Sequence, residues 1–317
     1  MNKNPQNPVQ TASFLARPDG RISYDVADVG PLVVLLPGMG DLRSAYRYLA
    51  LSSSPPATGW PAPTCGGHGE SDTTFASYGD ADTAGDVSAL IEELGGPAVI
   101  VGNSMGARAA VLVVAGRPEL VSGLVLVGPG VRNGANGAVQ RALFQLAMAR
   151  PWAAVAWKWY LPKLYVGRRP DDFEDYRDRL VANLRRPGHA KALSLTTRTD
   201  HAPAEVRLAD VAVPTMVITG ELDPDFPDPA AEARWIGEVV VVPDVTHYPQ
   251  SQQPSLPELF GQGELAAANP RLKFLALGYT WTPIGLADDE LSLLQAAAQE
   301  RAERCLTCPS LSCWFSW

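Results

Sequence analysis

One tight junction between a strand and a helix constrains the fold of this chain more than any other feature. Val99–Val101 is an apolar run typical of a strand buried on both faces. It continues directly into Gly102–Gly106 (GNSMG), and the residues from Met105 to Ala115 have a helical pattern. A buried strand joined to a helix by a glycine-rich turn is the unit of a parallel sheet covered by helices.

The same alternation recurs along the first half of the chain. An Asp19-Gly20 turn is followed by an alternating, half-buried strand pattern, and further buried strands and helices come after it. They are the strand Ile22–Val29, the strand Leu32–Leu36, the helix Leu42–Leu51, the helix Ala84–Leu94 and the strand Leu124–Val127. The sequence therefore predicts an α/β protein whose mostly parallel central sheet is flanked by helices.

The pattern changes in the middle of the chain. From about Val131 to Leu208 the patterns are helical, and strand patterns return at Thr215–Ile218 and Glu238–Val242. We expect residues 1–130 and 209–262 to form the core, and residues 131–208 to form an inserted helical lid over the edge of the sheet. An all-helical second domain packed elsewhere is the alternative. Residues 263–317 form an extension to which the sequence assigns no role.

Composition argues against two classes of partner. The chain carries 26 Lys and Arg against 34 Asp and Glu, a formal net charge of −8, without a basic run that could neutralise nucleic-acid phosphates. Its longest apolar runs, such as Val239–Val242, are far shorter than a membrane span. Met1–Pro8 lacks the apolar stretch of a signal peptide. We therefore expect a cytoplasmic protein without nucleic-acid or membrane partners, and the oligomeric state stays open.

Four cysteines raise the question of a metal or redox site. Cys305 and Cys308 have CxxC spacing, Cys313 follows them, and Cys65 lies far away in the chain. Zinc requires a fourth ligand, and no histidine lies near the three C-terminal cysteines. We expect no metal ion and no organic cofactor.

The GNSMG turn suggests nucleophilic chemistry. It matches the pattern G-x-S-x-G and lies between a strand and a helix, the structural context in which that pattern places an exposed serine. A sharp turn requires small residues beside Ser104, and the following helix directs backbone N–H groups towards developing negative charge. A glycine-rich connection with a capping serine is the alternative interpretation.

A nucleophilic serine requires a base, and an orienting acid for that base. Of the four histidines, only His247 follows the last strand pattern in a loop. The acid is expected after the preceding sheet strand, where Asp223 and Asp225 both occur. We favour Asp223 because it comes first, and Asp225 remains the second candidate.

These residues resemble the α/β-hydrolase superfamily, in the order Ser, acid, His. The resemblance runs from about Ile22 to Pro254 and includes the PGMG turn after the first buried strand, with the helical segment at the family's usual lid position. It implies an oxyanion hole formed by the backbone N–H groups of Met39 and Met105.

The resemblance implies a serine hydrolase that cleaves a carboxylic ester or lactone through an acyl-enzyme. The Trp-rich insertion suggests a small apolar or aromatic substrate, although such residues also form the core of a lid. Carbon–carbon bond hydrolases share the GNSMG sequence but usually carry Trp after the histidine, where this chain has Tyr248. That class, a haloperoxidase-like perhydrolase and a catalytically silent or ligand-binding member are the alternatives.

One segment departs from the family pattern. Ser52–Pro61, where a buried strand is expected before His68, has no apolar run and several prolines, which cannot donate to a sheet ladder. Read one register over with G/C-rich codons, Leu51–Gly66 becomes a helix end, a strand and the loop that precedes His68. We hypothesise a pair of compensating frameshifts, in the gene or in its sequencing. A frameshift in the gene implies a damaged strand in the encoded chain and makes a frameshift-damaged member a further alternative. Near the C-terminus, a closing helix after Pro254 is interrupted by prolines, and a further helix is predicted at Asp288–Arg304.

Overall fold

The computed structural model describes residues 12–25, 32–48, 62–131 and 138–253 of the chain. The strands are β1 (Ser13–Arg17), β2 (Gly20–Asp25), β3 (Val33–Leu36), β4 (Ala62–Pro63), β5 (Ala98–Asn103), β6 (Val121–Val127), β7 (Thr215–Gly220) and β8 (Glu238–Val242). The helices are α1 (Asp80–Glu93), α2 (Met105–Gly116), α3 (Ala138–Ala147), α4 (Ala153–Tyr160), α5 (Phe173–Leu184), α6 (His189–Thr196), α7 (Ala202–Arg207), α8 (Pro229–Ile236) and α9 (Pro249–Gln252). Short 3₁₀ turns occur at Arg43–Tyr46, Pro118–Leu120, Leu161–Tyr165 and Leu208–Asp210.

A parallel five-stranded sheet forms the centre, in the order β3-β5-β6-β7-β8. Each adjacent pair is parallel, and the register aligns Leu36 with Gly102 and Asn103 with Val127. Continuous apolar runs form these strands because both of their faces are covered. The prediction of a mostly parallel sheet flanked by helices is confirmed.

Alternate side chains of the strands pack into two different layers. Val34, Ile100 and Leu124 belong to one buried cluster with residues of α1 and α2, whereas Leu35 and Val101 pack with residues of the helical insertion. We use the name helical insertion for residues 138–210, which lie between β6 and β7 and contain α3 to α7. The insertion therefore helps to cover one face of the sheet, and its exact boundaries as a lid stay a prediction.

The individual elements agree with the sequence in different degrees. The predicted strands before and after Ser104, Val99–Val101 and Leu124–Val127, are confirmed with small changes at their ends. The same holds for the strands predicted at Thr215–Ile218 and Glu238–Val242. Helix α1 begins at Asp80, earlier than predicted, and Asp82 accepts a hydrogen bond from the Gly79 N–H at 2.7 Å at its start. The predicted helix from Leu42 begins as a 3₁₀ turn, and its end from residue 49 lies outside the described residues.

A short strand follows the segment that departs from the family pattern. Within the described residues, β4 contains only Ala62 and Pro63 and pairs antiparallel with β2, in a separate sheet of order β1-β2-β4. The prediction of a poor central strand concerns Ser52–Pro61, which lies outside the described residues and stays a prediction. Residues 49–61, which contain most of the proposed frameshifted segment, lie outside the described residues, so the frameshift stays a hypothesis.

Other predictions concern parts of the chain that the structure does not describe. The end of the strand predicted to reach Val29, the closing helix after Pro254, the helix Asp288–Arg304 and the C-terminal cysteines all lie there. Of the helices that are described, none has the length and apolar character needed to cross a membrane.

Candidate active site

Ser104 lies at the sharp turn between β5 and α2. Its backbone has φ 53° and ψ −113°, a left-handed conformation that non-glycine residues rarely adopt. Its N–H donates to the Val127 carbonyl at 3.0 Å, which anchors the turn to β6. Backbone strain of this kind costs about 1–3 kcal/mol and occurs mainly at functional sites. The structure therefore holds Ser104 half-buried in the strained geometry that the sequence pattern predicts.

The two glycines of the turn are required by close packing. A Cβ atom on Gly102 would lie 2.5 Å from the Gly106 carbonyl oxygen, and one on Gly106 would lie 2.5 Å from the Leu36 carbonyl oxygen. Both distances are far below contact distance, so neither position accepts a side chain without a backbone shift. The glycines let α2 start directly against the ends of β3 and β5.

His247 and Asp223 form a buried hydrogen-bonded pair at the carboxyl ends of the strands. Asp223 follows β7, His247 follows β8, and the Nδ1–Oδ2 distance is 2.9 Å. Asp225 Oδ2 lies 3.6 Å from the same nitrogen, and its side chain is 37% exposed, against 1% for Asp223. Asp223 also accepts a hydrogen bond from the Asp225 N–H at 3.1 Å. The structure thus brings both predicted acids to His247. Of the two, Asp223 makes the shorter contact and has the more buried side chain.

Two residues that sequence reasoning missed join the His247 loop to the strand ends. The Asn103 side-chain amide donates to the His247 carbonyl and to the Val127 carbonyl, each at 3.1 Å. Gly128 has φ 50°, and a Cβ atom there would lie 3.2 Å from Asp223 Oδ2 and from the His247 carbonyl oxygen. Because Asn103 directly precedes Ser104, this amide fixes the histidine loop beside the serine turn.

Electrostatics favour a charged His247. Burial lowers the pKa of His247, but the Asp223 and Asp225 carboxylates outweigh that effect and raise it to about 9. Partial burial and the Asp223 charge together raise the pKa of Asp225, while His247 and Arg108 oppose the rise. The pair can therefore accept a proton at His247 and hold it as an imidazolium.

The loop after β3 carries the predicted donor Met39. Met39 is half-buried in the turn that follows β3, whereas Met105 is the first residue of α2. The N–H of Met105 lies in the first turn of that helix, where backbone donors have no intrahelical acceptor. The neighbouring Gly40 N–H donates to His68 Nε2 at 3.0 Å, and His68 Nδ1 lies 2.9 Å from the Gly66 carbonyl.

His68 is therefore a structural support for this loop, a role that the sequence did not indicate. Its ring bridges two backbone segments, accepting a hydrogen bond at Nε2 and donating one from Nδ1–H, which requires a neutral ring. Burial, with a smaller contribution from His189, lowers the pKa of His68 to about 4. The glycine-rich loop around it was the only signal in the sequence, and it did not reveal the partner.

The other two histidines make structural contacts. His201 Nδ1 lies 2.8 Å from Asp80 Oδ2, and the same carboxylate lies 3.3 Å from Arg108 Nε. His189 Nε2 lies 3.0 Å from the Gly69 carbonyl. His201 therefore belongs to an ion cluster at the start of α1, separate from the strand ends that carry His247.

The aromatic residues of the helical insertion divide into three groups. Trp157 is buried, and its ring packs against Gly40, where an added Cβ would lie 2.7 Å from it. Trp152 and Trp159 are exposed. Tyr160 is half-buried, and burial, with the Asp225 and Asp223 charges, raises its pKa.

Metal binding and thiol chemistry receive little support. Asp223, Asp225 and His247 bring three candidate ligand atoms within 4.8 Å of one another, but Nδ1 of that histidine is already directed at Asp223. Cys65 is buried, and burial raises the pKa of its thiol to about 12, so the reactive thiolate is disfavoured. The expectation of no metal stays a prediction.

A serine in a strained turn and a buried histidine–aspartate pair, all at the carboxyl ends of parallel strands, define an α/β-fold hydrolase. Sequence comparison agrees, because the model described as "Alpha/beta hydrolase family" matches residues 33–257. The chain belongs to the alpha/beta hydrolase family.

Individual relatives are distant. The chain is 27% identical over 262 residues to 2-(acetamidomethylene)succinate hydrolase of Mesorhizobium japonicum, covering 75% of this chain and 89% of the relative. Its fold is similar to that of an esterase from Exiguobacterium antarcticum, with a TM-score of 0.66 and 16% identity over 81% of this chain and 99% of the other. Est816, an enzyme that degrades N-acyl homoserine lactones, gives a TM-score of 0.63 and 21% identity over 78% and 98%.

Proposed function

We propose that the chain is a serine hydrolase that cleaves a carboxylic ester or lactone with Ser104 as nucleophile, His247 as base and Asp223 as orienting acid. The observation that carries the proposal is the buried 2.9 Å His247–Asp223 contact, held by Asn103 next to the strained serine. A triad is recognised by such geometry and roles and not by the positions of its residues in the sequence.

The first half of the reaction forms an acyl-enzyme. Ser104 Oγ attacks the substrate carbonyl carbon while His247 Nε2 takes the hydroxyl proton. Asp223 accepts the Nδ1–H bond and stabilises the imidazolium. Backbone N–H groups of Met39 and Met105 are assigned to the oxyanion. Removing one such donor typically lowers kcat by about 10²–10³-fold.

The second half releases the acid. Before it begins, the ester C–O bond breaks and the His247 imidazolium gives its proton to the leaving alcohol, or to the ring oxygen of an opened lactone, which completes the acyl-enzyme. Water then attacks the acyl carbon and gives a proton to the same nitrogen, and collapse of the intermediate restores the Ser104 hydroxyl. The sum is consumption of one water and one ester bond, which requires no cofactor.

An apolar or aromatic small molecule fits the surroundings of the pair. The ring of Tyr160, whose pKa the Asp225 and Asp223 charges help to raise, packs against Phe144 at 5.3 Å and Trp157 at 5.7 Å between centroids. We assign this aromatic cluster of the helical insertion to the binding of the substrate. The lactone- and ester-cleaving activities in the names of the structural neighbours support the same substrate class.

A fluorophosphonate probe tests the nucleophile. We expect the purified wild-type chain to be labelled, and Ser104→Ala to lose labelling. Ser88→Ala, which removes a serine of α1 hydrogen-bonded only locally to the Ala84 carbonyl, is the matched control and should label normally. Labelling that persists in Ser104→Ala, or folded wild-type protein that does not label, would refute the proposal; the second result favours a silent member.

A substrate panel separates the remaining chemistries. Short aryl esters, aliphatic esters and lactones should be hydrolysed faster than carbon–carbon ring-fission products, and peracid formation from acetate and peroxide should be slow. Faster turnover of a ring-fission product than of every ester would replace the ester assignment with a carbon–carbon bond hydrolase.

A further inference from the structure

We propose that Gln252 is a positioning residue for His247, and that it couples the histidine loop to the helical insertion. The inference rests on the proposed triad, because it concerns how the base of that triad is held. Gln252 is the last residue of α9 and is fully buried. Its side-chain amide lies between two chain segments that are about 80 residues apart in sequence.

The amide oxygen binds the backbone on both sides of His247. Gln252 Oε1 accepts hydrogen bonds from the Thr246 N–H at 3.0 Å and from the Tyr248 N–H at 3.3 Å. One oxygen therefore fixes the residue before the histidine and the residue after it. Asn103 also holds the His247 carbonyl, so hydrogen bonds fix the backbone N–H before this residue, its own carbonyl and the N–H after it.

The amide nitrogen binds the helical insertion. Gln252 Nε2 donates to the Val166 carbonyl at 3.0 Å and to the Arg168 carbonyl at 2.7 Å. We call Val166–Arg168, which joins a 3₁₀ turn to α5, the connector. The connector also reaches the histidine loop directly, because the Arg168 N–H donates to the Asp244 carbonyl at 2.9 Å.

Further contacts at the same interface show that it is built and not incidental. The rings of Tyr165 and Tyr248 stack with centroids 4.6 Å apart and an interplanar angle of 16°. Ser251 Oγ lies 3.1 Å from the Tyr165 hydroxyl, and the Thr246 hydroxyl donates to the Leu164 carbonyl. The insertion therefore contacts the histidine loop at several points. Among the residues that the structure describes, Gln252 is the one side chain that bonds the backbone N–H groups of both neighbours of His247.

Only an amide meets both demands at this position. The oxygen faces two backbone N–H donors, with the Thr246 hydroxyl also 3.0 Å away, and the nitrogen faces two acceptors. A carboxylate would satisfy the donors and repel the acceptors. Loss of the side chain would leave the buried N–H groups of Thr246 and Tyr248, and the carbonyls of Val166 and Arg168, without these partners. The histidine loop would then shift, and a displacement of about 1 Å can lower turnover about 10²-fold.

The test compares three variants with the wild-type chain. Gln252→Met removes both pairs of bonds at similar volume, and Gln252→Glu keeps the oxygen but loses the donors. Gln250→Met is the matched control, because Gln250 is equally buried in α9 but neither atom of its amide has a described hydrogen-bond partner. For each we would measure kcat and KM on an aryl ester, Tm, and the pKa of the His247 ring by NMR.

We expect Gln252→Met to lower kcat about 10–100-fold with little change in KM, because the base moves while the substrate pocket stays. Its His247 pKa should fall from about 9 towards 6.5 as the contact with Asp223 loosens. Gln252→Glu should keep kcat closer to wild type but lower Tm, since the connector loses its donors. Gln250→Met should leave kcat and the His247 pKa unchanged.

Other results would overturn the proposal. A folded Gln252→Met with wild-type kcat and an unchanged His247 pKa would refute it, and so would an equal loss of kcat in Gln250→Met. If Gln252→Met does not fold, Gln252→Glu decides: a kcat loss as large as that of Ser104→Ala would contradict the role of the oxygen. A wild-type chain without activity refutes the proposed function, and the ring pKa comparison, which needs no turnover, still decides the role of Gln252.

Discussion

Two buried histidines lie on opposite sides of Ser104, and their surroundings shift their pKa values in opposite directions. Next to the acid, His247 faces two carboxylates, and its pKa is raised to about 9. Next to the loop after β3, the hydrogen-bond partners described for His68 are two backbone groups, and burial and His189 lower its pKa to about 4. The same residue type therefore serves as a proton acceptor on one side and as a neutral hydrogen-bond bridge on the other.

The scaffolds on the two sides differ as well. On the histidine–aspartate side, the site residues follow strands of the continuous parallel ladder β5-β6-β7-β8. On the other side, in the described residues, β3 pairs only with β5, and the two-residue β4 pairs with β2. A side-chain bridge such as the one from His68 to Gly40 therefore replaces part of the support that a ladder would give. We expect the two sides to respond differently to mutation and to pH.

Breaking the acid side should have the largest effect. Asp223→Asn should lower kcat by about 10⁴-fold, because the amide no longer stabilises the imidazolium and favours the wrong tautomer. Asp225→Asn, at 3.6 Å and more exposed, should have a much smaller effect and serves as the control. Steady-state kinetics on one ester would measure both, and a larger loss in Asp225→Asn would reverse the assignment of the acid.

The raised pKa of His247 predicts the pH profile. Only the neutral ring accepts the Ser104 proton, so kcat/KM should rise with pH and level off above about 9. Removing Asp223 removes a charge that favours the protonated ring, so the remaining activity of Asp223→Asn should level off at a lower pH. Labelling rates with the fluorophosphonate between pH 5 and pH 10 would show this, and an identical midpoint in both proteins would contradict it.

Breaking the His68 bridge should have an intermediate effect. His68→Leu removes the acceptor for Gly40 and the donor for the Gly66 carbonyl, which should destabilise the fold by about 1–3 kcal/mol and lower kcat. His68→Gln, which can supply one acceptor and one donor, should recover part of both. Urea unfolding at pH 7 together with kcat would measure this; a fully active, equally stable His68→Leu would show that the bridge is dispensable.

The same histidine should make stability fall in acid. Because the folded pKa of His68 is about 4 and its ordinary value is 6.5, the unfolded chain binds the proton first. Its contribution is complete above pH 6.5 and decreases as the pH falls towards 4, by about 3 kcal/mol in total. The difference in unfolding free energy between wild type and His68→Gln, measured at pH 7 and pH 4.5, isolates this effect from the carboxylates.

The smallest effect is expected on the exposed face of the insertion. Trp159 is 76% exposed, so Trp159→Ala should change stability by no more than about 0.5 kcal/mol and leave KM unchanged. Trp157→Ala is the comparison, since its buried ring supports Gly40 and its loss should cost about 3–5 kcal/mol. A raised KM in Trp159→Ala would place that ring at the substrate.

The sequence predicted the parts of the molecule that follow from local pattern. Strands β3 and β5 to β8 are continuous apolar runs, and Ser104, Asp223 and His247 each follow the end of a strand. Parallel strands bring such ends to one edge of the sheet, so these residues could be assigned to one candidate site from the sequence.

The supporting contacts could not be predicted in this way. His68, Asn103 and Gln252 act through hydrogen bonds from a side chain to the backbone of a distant segment, and no spacing in the sequence marks them. Their residue types are also common on surfaces. The start of α1 could not be predicted for a related reason. Its first turn is polar, and Asp80 there is buried because it pairs with Arg108 and His201.

The positive φ of Ser104 has a consequence for evolution. The strain opposes folding by about 1–3 kcal/mol, a large fraction of the margin of an ordinary domain. Glycine relieves it at no steric penalty, so a lineage released from selection for chemistry would gain stability by drifting to glycine at this position. We therefore expect Ser104→Gly to be inactive but to melt at a higher temperature than the wild-type chain.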